Sequence, residues 1–168
     1  MVARPSKGNP THRLRSAGLP LAAYDELIRY SREYLEMTNA SRSTERPVDR
    51  IAEITYLVLR LSKGNVRLRL GALARKLGIG SRVLTKRFRQ LYGTTPKESQ
   101  IRIRVEWACD AIQTFPDRKI GSIAADSGYS DVADFNHVFR KYTGMSPKQY
   151  QKDCRAARDR AHLAEPML

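Results

Sequence analysis

A stretch of about fifty residues occurs twice in this chain, and the duplication limits its fold more than any other feature. A shift of 51 carries Phe88 onto Phe139 and Gly93 onto Gly144, whereas further upstream the matching shift is 50. Two copies with the same apolar stripe and the same glycine and proline positions indicate a repeated structural module. The other matches are Leu84 with Phe135, Leu91 with Tyr142, Pro96 with Pro147, and residues 70–78 with residues 120–128.

Within the first copy, residues 81–93 predict an amphipathic helix that ends at a glycine. Leu84, Phe88 and Leu91 are spaced at i, i+4 and i+7 and are expected to face the core. A short apolar helix and a glycine-containing turn precede them, which is the helix-turn-helix pattern. The outward residues are Arg82, Thr85, Lys86 and Arg89 in the first copy and Ala133, Asn136, His137 and Arg140 in the second.

The rest of the sequence is also helical in its periodicity, with proline or a capping box at several helix starts. No segment has the pattern of a strand, so the predicted fold class is all-α. The predicted helices cover 20–37, 47–63, 70–77, 81–92, 96–114, 120–127, 131–142 and 147 to about 160.

Charge points to the class of partner. The formal net charge of the 168 residues is +14, which favours a polyanion, with nucleic acid first and an anionic membrane surface second. No apolar run is long enough to span a bilayer, and no signal-peptide core follows the basic N-terminus, so a cytoplasmic location is expected. Cys109 and Cys154 fit a reducing compartment as bystander thiols.

Nothing in the sequence suggests catalysis. The histidines His12, His137 and His162 are scattered, and neither they nor the cysteines have zinc-ligand spacing. No Ser/His/Asp arrangement, phosphate loop or paired catalytic carboxylate stands out. The chain is therefore expected not to be an enzyme and to need no cofactor or metal.

Residues 48–152 resemble the DNA-binding domain of the AraC/XylS family of bacterial transcription regulators. The resemblance implies two helix-turn-helix subdomains joined by a long linker helix, with each second helix in a major groove. It also implies a protein of the bacterial nucleoid. The residues that carry it are Ala74, Gly78, Leu84, Phe88, Gly93, Pro96, Arg104 and Ala108, then Ile120, Ile123, Ala124, Gly128, Tyr129, Phe135, Phe139, Gly144, Pro147 and Tyr150.

The linker helix has a suitable length for this arrangement. Residues 97–114 form eighteen helical residues, or about 27 Å, and one turn of DNA separates successive major-groove faces by about 34 Å. A monomer on double-stranded DNA is therefore expected.

Individual roles follow from side-chain chemistry. Arg82 and Lys86 are predicted to contact base edges, Thr85 to add a hydrogen bond or touch a thymine methyl, and Arg89 to bind phosphate. In the second copy, Asn136 and His137 are the polar candidates, Val132 and Ala133 fit thymine methyls, and Arg140 suits phosphate.

Charge is distributed unequally between the copies. Residues 63–104 contain twelve basic residues and one acid, whereas residues 116–152 contain six and four. The first copy is thus expected to supply most of the affinity.

Several positions depart from the family pattern. Gly80 replaces the usual capping serine, so either Ser81 caps the first recognition helix or the cap is weak. Ser130 is the predicted cap of the second. Gln151 stands where a basic residue is usual, which suggests a lost phosphate contact. Asp134 is expected to accept from a cytosine amine or to point to solvent, and solvent is favoured.

The expected domains are 1–46 (basic tail, extra N-terminal helix and linker), 47–154 (DNA-binding domain) and 155–168 (tail). Within the second, the helix-turn-helix units occupy about 66–93 and 117–144, and the linker helix about 96–114. The N-terminal helix either docks through Tyr24, Leu27, Ile28 and Leu35 or forms a dimer or partner contact through residues 20–37. Many members of the family that this chain resembles carry a β-barrel sensory domain before the DNA-binding domain. The forty-six residues at this position are expected to be too few to form one.

The expected function is sequence-specific regulation of transcription, as an activator that also touches RNA polymerase. Activation follows from the family resemblance alone. One alternative is an architectural or accessory protein that bends DNA or recruits a partner complex. Another is a partner-binding module that no longer recognises a DNA sequence.

Overall fold

The computed structural model describes residues 19–39 and 49–164. These residues form eight helices and no strand, which confirms the all-α prediction. The predicted basic tail of residues 1–18, most of the polar linker and the last four residues lie outside the described part. The helices are α1 (Leu21–Asn39), α2 (Arg50–Leu61), α3 (Leu70–Lys76), α4 (Ser81–Tyr92), α5 (Pro96–Thr114), α6 (Ile120–Asp126), α7 (Val132–Thr143) and α8 (Pro147–Ala164).

The chain divides into two compact units. The first holds α1 to α4, and the second holds residues 63–65 together with residues 97 onward. Each unit contains one helix-turn-helix, formed by α3 and α4 in the first and by α6 and α7 in the second. None of the helices in the described ranges is long and apolar enough to cross a bilayer.

The N-terminal helix α1 is an integral part of the first unit. It packs on α2 and α3, and Tyr24, Ile28 and Leu35 are buried in the interface. The Tyr24 hydroxyl accepts a hydrogen bond from the backbone N–H of Arg69 at 2.8 Å. The predicted docking of this helix is therefore confirmed.

Helix α4 is held in the first unit by one apolar face. Leu84 and Phe88 are buried as predicted. The prediction for Leu91 was wrong, because its side chain is 40 % exposed. Tyr92, one residue later, takes the inner position, and its ring lies 4.7 Å from Phe88 and 4.8 Å from Tyr56, centroid to centroid.

The two helix-turn-helix turns have the same construction. Gly78 and Gly128 both adopt a positive φ, at 74° and 84°, which L-residues with a Cβ rarely adopt. The next N–H in each turn donates to the carbonyl of a buried alanine, over 3.0 Å to Ala74 and 2.9 Å to Ala124. The sequence duplication is thus a duplication of backbone geometry.

The second unit is built around α5. Its core comprises residues from α5, α6 and α7, namely Val105, Ala108, Ile112, Ile123, Ala124, Phe135 and Phe139. Gly64 lies against this helix with a φ of 64°. A Cβ at Gly64 would overlap the carbonyl oxygen of Gln100, so the close approach requires glycine.

A pair of glutamines repeats at the duplication interval and holds equivalent loops. The Gln100 amide donates to the carbonyl of Asn65 at 2.7 Å, ahead of α3. The Gln151 amide donates to the carbonyl of Arg118 at 2.6 Å, ahead of α6. Gln151 is buried and its amide is engaged in this bond, and the loss of a phosphate contact at this position stays a prediction.

Several helix ends differ from prediction. Helix α2 begins at Arg50 with Asp49 as its N-cap, so the predicted start at Pro47 is wrong. Helix α7 begins at Val132 and is capped by Asp131, whose carboxylate accepts from the Ala133 N–H at 2.8 Å. The predicted cap at Ser130 is therefore wrong, because the carboxylate one residue later takes this role. Helix α8 continues to Ala164, beyond the predicted end near residue 160.

Candidate nucleic-acid interface

One exposed face of α4 collects the four residues predicted for the first recognition helix. Arg82, Thr85, Lys86 and Arg89 line a single shallow depression together with Ser81 and Gln90. The three cations are exposed, and across residues 19–39 and 49–164 none of them has a hydrogen-bond or ion-pair partner. This face therefore offers two guanidinium groups and one ammonium group to an external anion or base edge.

The hydroxyl of Thr85 is more restricted than its neighbours. It donates to the carbonyl of Ser81 at 2.9 Å, one helical turn back. Its proton is thus committed to the backbone, and it retains an acceptor oxygen and a methyl group. Gly80 is the N-cap and no side chain bonds the first helical N–H groups, so of the two expectations for this helix start the weak cap is observed.

The exposed face of α7 is chemically different. Val132, Ala133, Asn136, His137 and Arg140 are all exposed. Asp134 is exposed as well, which fits both expectations for it, a cytosine amine and solvent. The face combines apolar groups at its N-terminal end with an amide, an imidazole and one guanidinium further along. It provides fewer cations than α4 for contact with phosphate.

Counting charges along the sequence overstated the free basic surface in the first unit. The ammonium of Lys76 bonds both carboxylate oxygens of Asp25, at 2.7 and 2.9 Å. The guanidinium of Arg87 lies 3.8 Å from the Asp49 carboxylate. These acids lie outside residues 63–104 and were therefore missed by the count.

Two acids of the second unit are also paired with arginines. Arg118 pairs with Asp126. Asp117 contacts Arg155 at 3.2 Å and Arg158 at 2.6 Å. The hydrogen bond from Arg158, followed by the charges of both arginines, holds the pKa of the Asp117 carboxyl below its usual range.

Arg104 packs inside the second unit, against the turn of the second helix-turn-helix, and is not exposed to an external ligand. Its guanidinium is buried and lies 5.1 Å above the ring centroid of Tyr129, a residue of the turn before α7. Burial lowers the pKa of Arg104, and interaction with Tyr129 opposes that shift. The geometry is a cation–π contact between the linker helix and the turn.

Comparison with known proteins identifies the fold. A family model described as a helix-turn-helix domain matches residues 73–153. The Msm operon regulatory protein of Streptococcus mutans is 25% identical over 154 residues, which are 83% of this chain and 52% of that protein. The MmsAB operon regulatory protein of Pseudomonas aeruginosa is 26% identical over 91 residues, which are 54% of this chain and 29% of that protein. The chain thus spans about half of the first relative and less than a third of the second.

Solved structures agree with this assignment. The C-terminal domain of AraT, a response regulator from Geobacillus stearothermophilus, superposes with a TM-score of 0.59 at 23% identity, over 64% of this chain and 88% of that one. The C-terminal domain of the two-component response regulator yesN from Fusobacterium nucleatum gives 0.54 at 26% identity, over 61% and 99%. The relatives are regulatory proteins rather than enzymes, in line with the sequence prediction. Residues 73–153 therefore match a helix-turn-helix domain, and the chain is similar over this region to operon regulatory proteins.

Proposed function

We propose that this protein is a sequence-specific transcription regulator that inserts α4 and α7 into successive major grooves of double-stranded DNA. The observation that carries the proposal is the cluster of exposed donors on α4, formed by Arg82, Lys86 and Arg89 around one depression. Helix α5 has 19 residues, or about 28 Å, which suits two recognition helices placed about one DNA turn apart. The operon regulatory proteins among its relatives support a role in transcription.

The two recognition helices have different tasks in this proposal. Arg82 and Lys86 contact guanine edges, and Arg89 contacts phosphate, so α4 supplies most of the electrostatic affinity. Val132 and Ala133 meet thymine methyls on the other half of the site. There, Asn136 and His137 add polar contacts and Arg140 binds phosphate.

Activation through a contact with RNA polymerase is part of the proposal and rests on family resemblance. An architectural or partner-recruiting protein is the alternative. Selection of bound DNA from a random library at physiological salt, followed by transcription from a promoter that carries the selected site, separates the two. A regulator selects a defined asymmetric site of about two turns and changes transcription, whereas an architectural protein enriches deformable sequences without a consensus.

The sharpest test of the α4 assignment is Arg82→Ala. It should weaken binding to the selected site by about 1–3 kcal/mol and relax one base position. Arg32→Ala is the matched control, because it removes the same charge from an exposed position on α1. An equal loss on all sequences would reduce Arg82 to a phosphate contact. Asn136→Ala should matter less, and a larger loss than for Arg82→Ala would reverse the ranking of the two helices.

A further inference from the structure

Helix α1 carries a second apolar stripe that its docking does not use. The buried stripe runs through Tyr24, Ile28 and Leu35. Beside it, Tyr30 and Tyr34 are 53% and 52% exposed, and Met37, one turn further on, is 71% exposed. The 30, 34 and 37 spacing places these three side chains on one helix face. A helix that packs only against its own unit needs one apolar stripe, so the second stripe of α1 is not explained by this packing.

The second stripe lies next to exposed apolar residues of α2. The stripe residues and Leu57 and Leu61 line one open groove between α1 and α2, and Leu61 is 52% exposed. Isolated exposed apolar residues are ordinary, but a contiguous patch rimmed by charged groups marks an interaction surface. At the rim of this groove stand Glu33 and Arg60.

We propose that this groove, here called the α1–α2 groove, is a self-association surface that joins two copies of this chain. A groove between two helices accepts an apolar helix stripe with anchors at i, i+4 and i+7. The chain itself presents such a stripe in Tyr30, Tyr34 and Met37. The stripe forms one side of the groove. In a two-fold dimer, each copy can therefore place its stripe in the groove of the other copy.

Charge favours a second copy over an acidic partner. The chain as a whole carries +14, so most of its surface repels an identical molecule. The α1–α2 groove is lined by one acidic and one basic side chain and therefore has no net charge. Glu33 is itself paired with Arg29 at 3.2 Å, so two copies meet here without like-charge repulsion. Because the patch is small, the association is weak and reversible.

Sedimentation equilibrium of the full chain without DNA tests the proposal over protein concentrations from about 1 µM to about 300 µM. The average mass should rise from that of the monomer toward that of the dimer. Tyr34→Glu and Met37→Glu should each raise the dissociation constant at least about tenfold, because each places a charge in the contact. Both side chains are exposed, so the fold should survive, which far-UV circular dichroism verifies.

Phe115→Glu is the matched control, since it introduces the same charge at an apolar residue that is 59% exposed in the second unit. It should leave the dimer unchanged. A wild-type chain that stays monomeric at the highest concentration would overturn the proposal. So would an association that neither groove variant weakens, or that Phe115→Glu weakens equally. These outcomes are measured without DNA and are independent of the proposed DNA-binding function.

Discussion

Replacing Tyr24 by phenylalanine isolates a single bond between α1 and the first helix-turn-helix. The Tyr24 ring is 1% exposed, and its hydroxyl accepts the Arg69 N–H at 2.8 Å, directly before α3. Phenylalanine keeps the ring and removes only the acceptor. The Arg69 N–H then faces an apolar ring edge in place of its acceptor.

The magnitude follows from this geometry. Losing this part-buried hydrogen bond costs about 0.5–1.5 kcal/mol of unfolding free energy. For a chain of this size, each kcal/mol lowers Tm by about 2–4 °C. Tyr24→Ala also removes the buried ring and should cost about 3–5 kcal/mol.

Urea denaturation followed by far-UV circular dichroism measures the change in unfolding free energy. Amide hydrogen exchange adds a local readout, because the Arg69 N–H should be protected in the wild type and exchange faster in Tyr24→Phe. Tyr34→Phe is the matched control on the same helix, since its ring is 52% exposed, and it should change stability by less than about 0.5 kcal/mol.

Equal stability of Tyr24→Phe and wild type, together with unchanged protection of the Arg69 amide, would refute this reasoning. It would mean that α1 contributes packing alone, without a specific bond to the start of α3.

Three further changes test other parts of the structure. Gly64→Ala should cost about 2–5 kcal/mol, because a positive φ and overlap with a backbone oxygen of α5 act together, whereas Gly78→Ala, with a positive φ and open space, should cost about 1 kcal/mol in the same urea titration. Gln151→Leu should cost about 1–3 kcal/mol by leaving the loop carbonyl before α6 unpaired, and the exposed Gln149→Leu should be close to neutral. Burial raises the pKa of the Cys109 thiol to about 11, so its alkylation by iodoacetamide should be slow at neutral pH and accelerate as pH approaches 11. The stability that the buried neutral thiol contributes is present below the pKa of the unfolded thiol and lost as pH rises through about 11. An alkylation rate at neutral pH equal to that in urea would contradict the burial.

Periodicity was sufficient for the helices and most of their inner faces. It placed Leu84 and Phe88 in the core, because residues four apart share a helix face regardless of what lies opposite. It failed at Leu91, since the inner position at the end of α4 is decided by a tyrosine of α2 that stacks on Tyr92. A partner distant in sequence leaves no mark on the local pattern.

The sequence predicted which polar residues of the candidate interface share a helix face. It did not predict the hydrogen bonds and ion pairs of the individual side chains. The sequence placed Arg82, Lys86 and Arg89 on one side of a helix. It did not show that the Thr85 hydroxyl bonds the backbone, or that Lys76 is held by Asp25, 51 residues away. The roles of Gln100 and Gln151 were also missed, although their interval equals that of the duplication and was a usable signal.

The paired glutamines bear on how such a chain arises. Each bond joins residues 35 and 33 apart in sequence, so both copies close a loop of nearly the same length and nearly the same entropic cost. The glutamine that bonds the loop at the start of each copy lies on the helix at the end of the same copy, α5 for Gln100 and α8 for Gln151. Duplication of a gene segment that includes this glutamine also duplicates the hydrogen bond that holds the loop at the start of the copy. The exposed residues of the two recognition helices can therefore differ while each copy keeps the same loop closure.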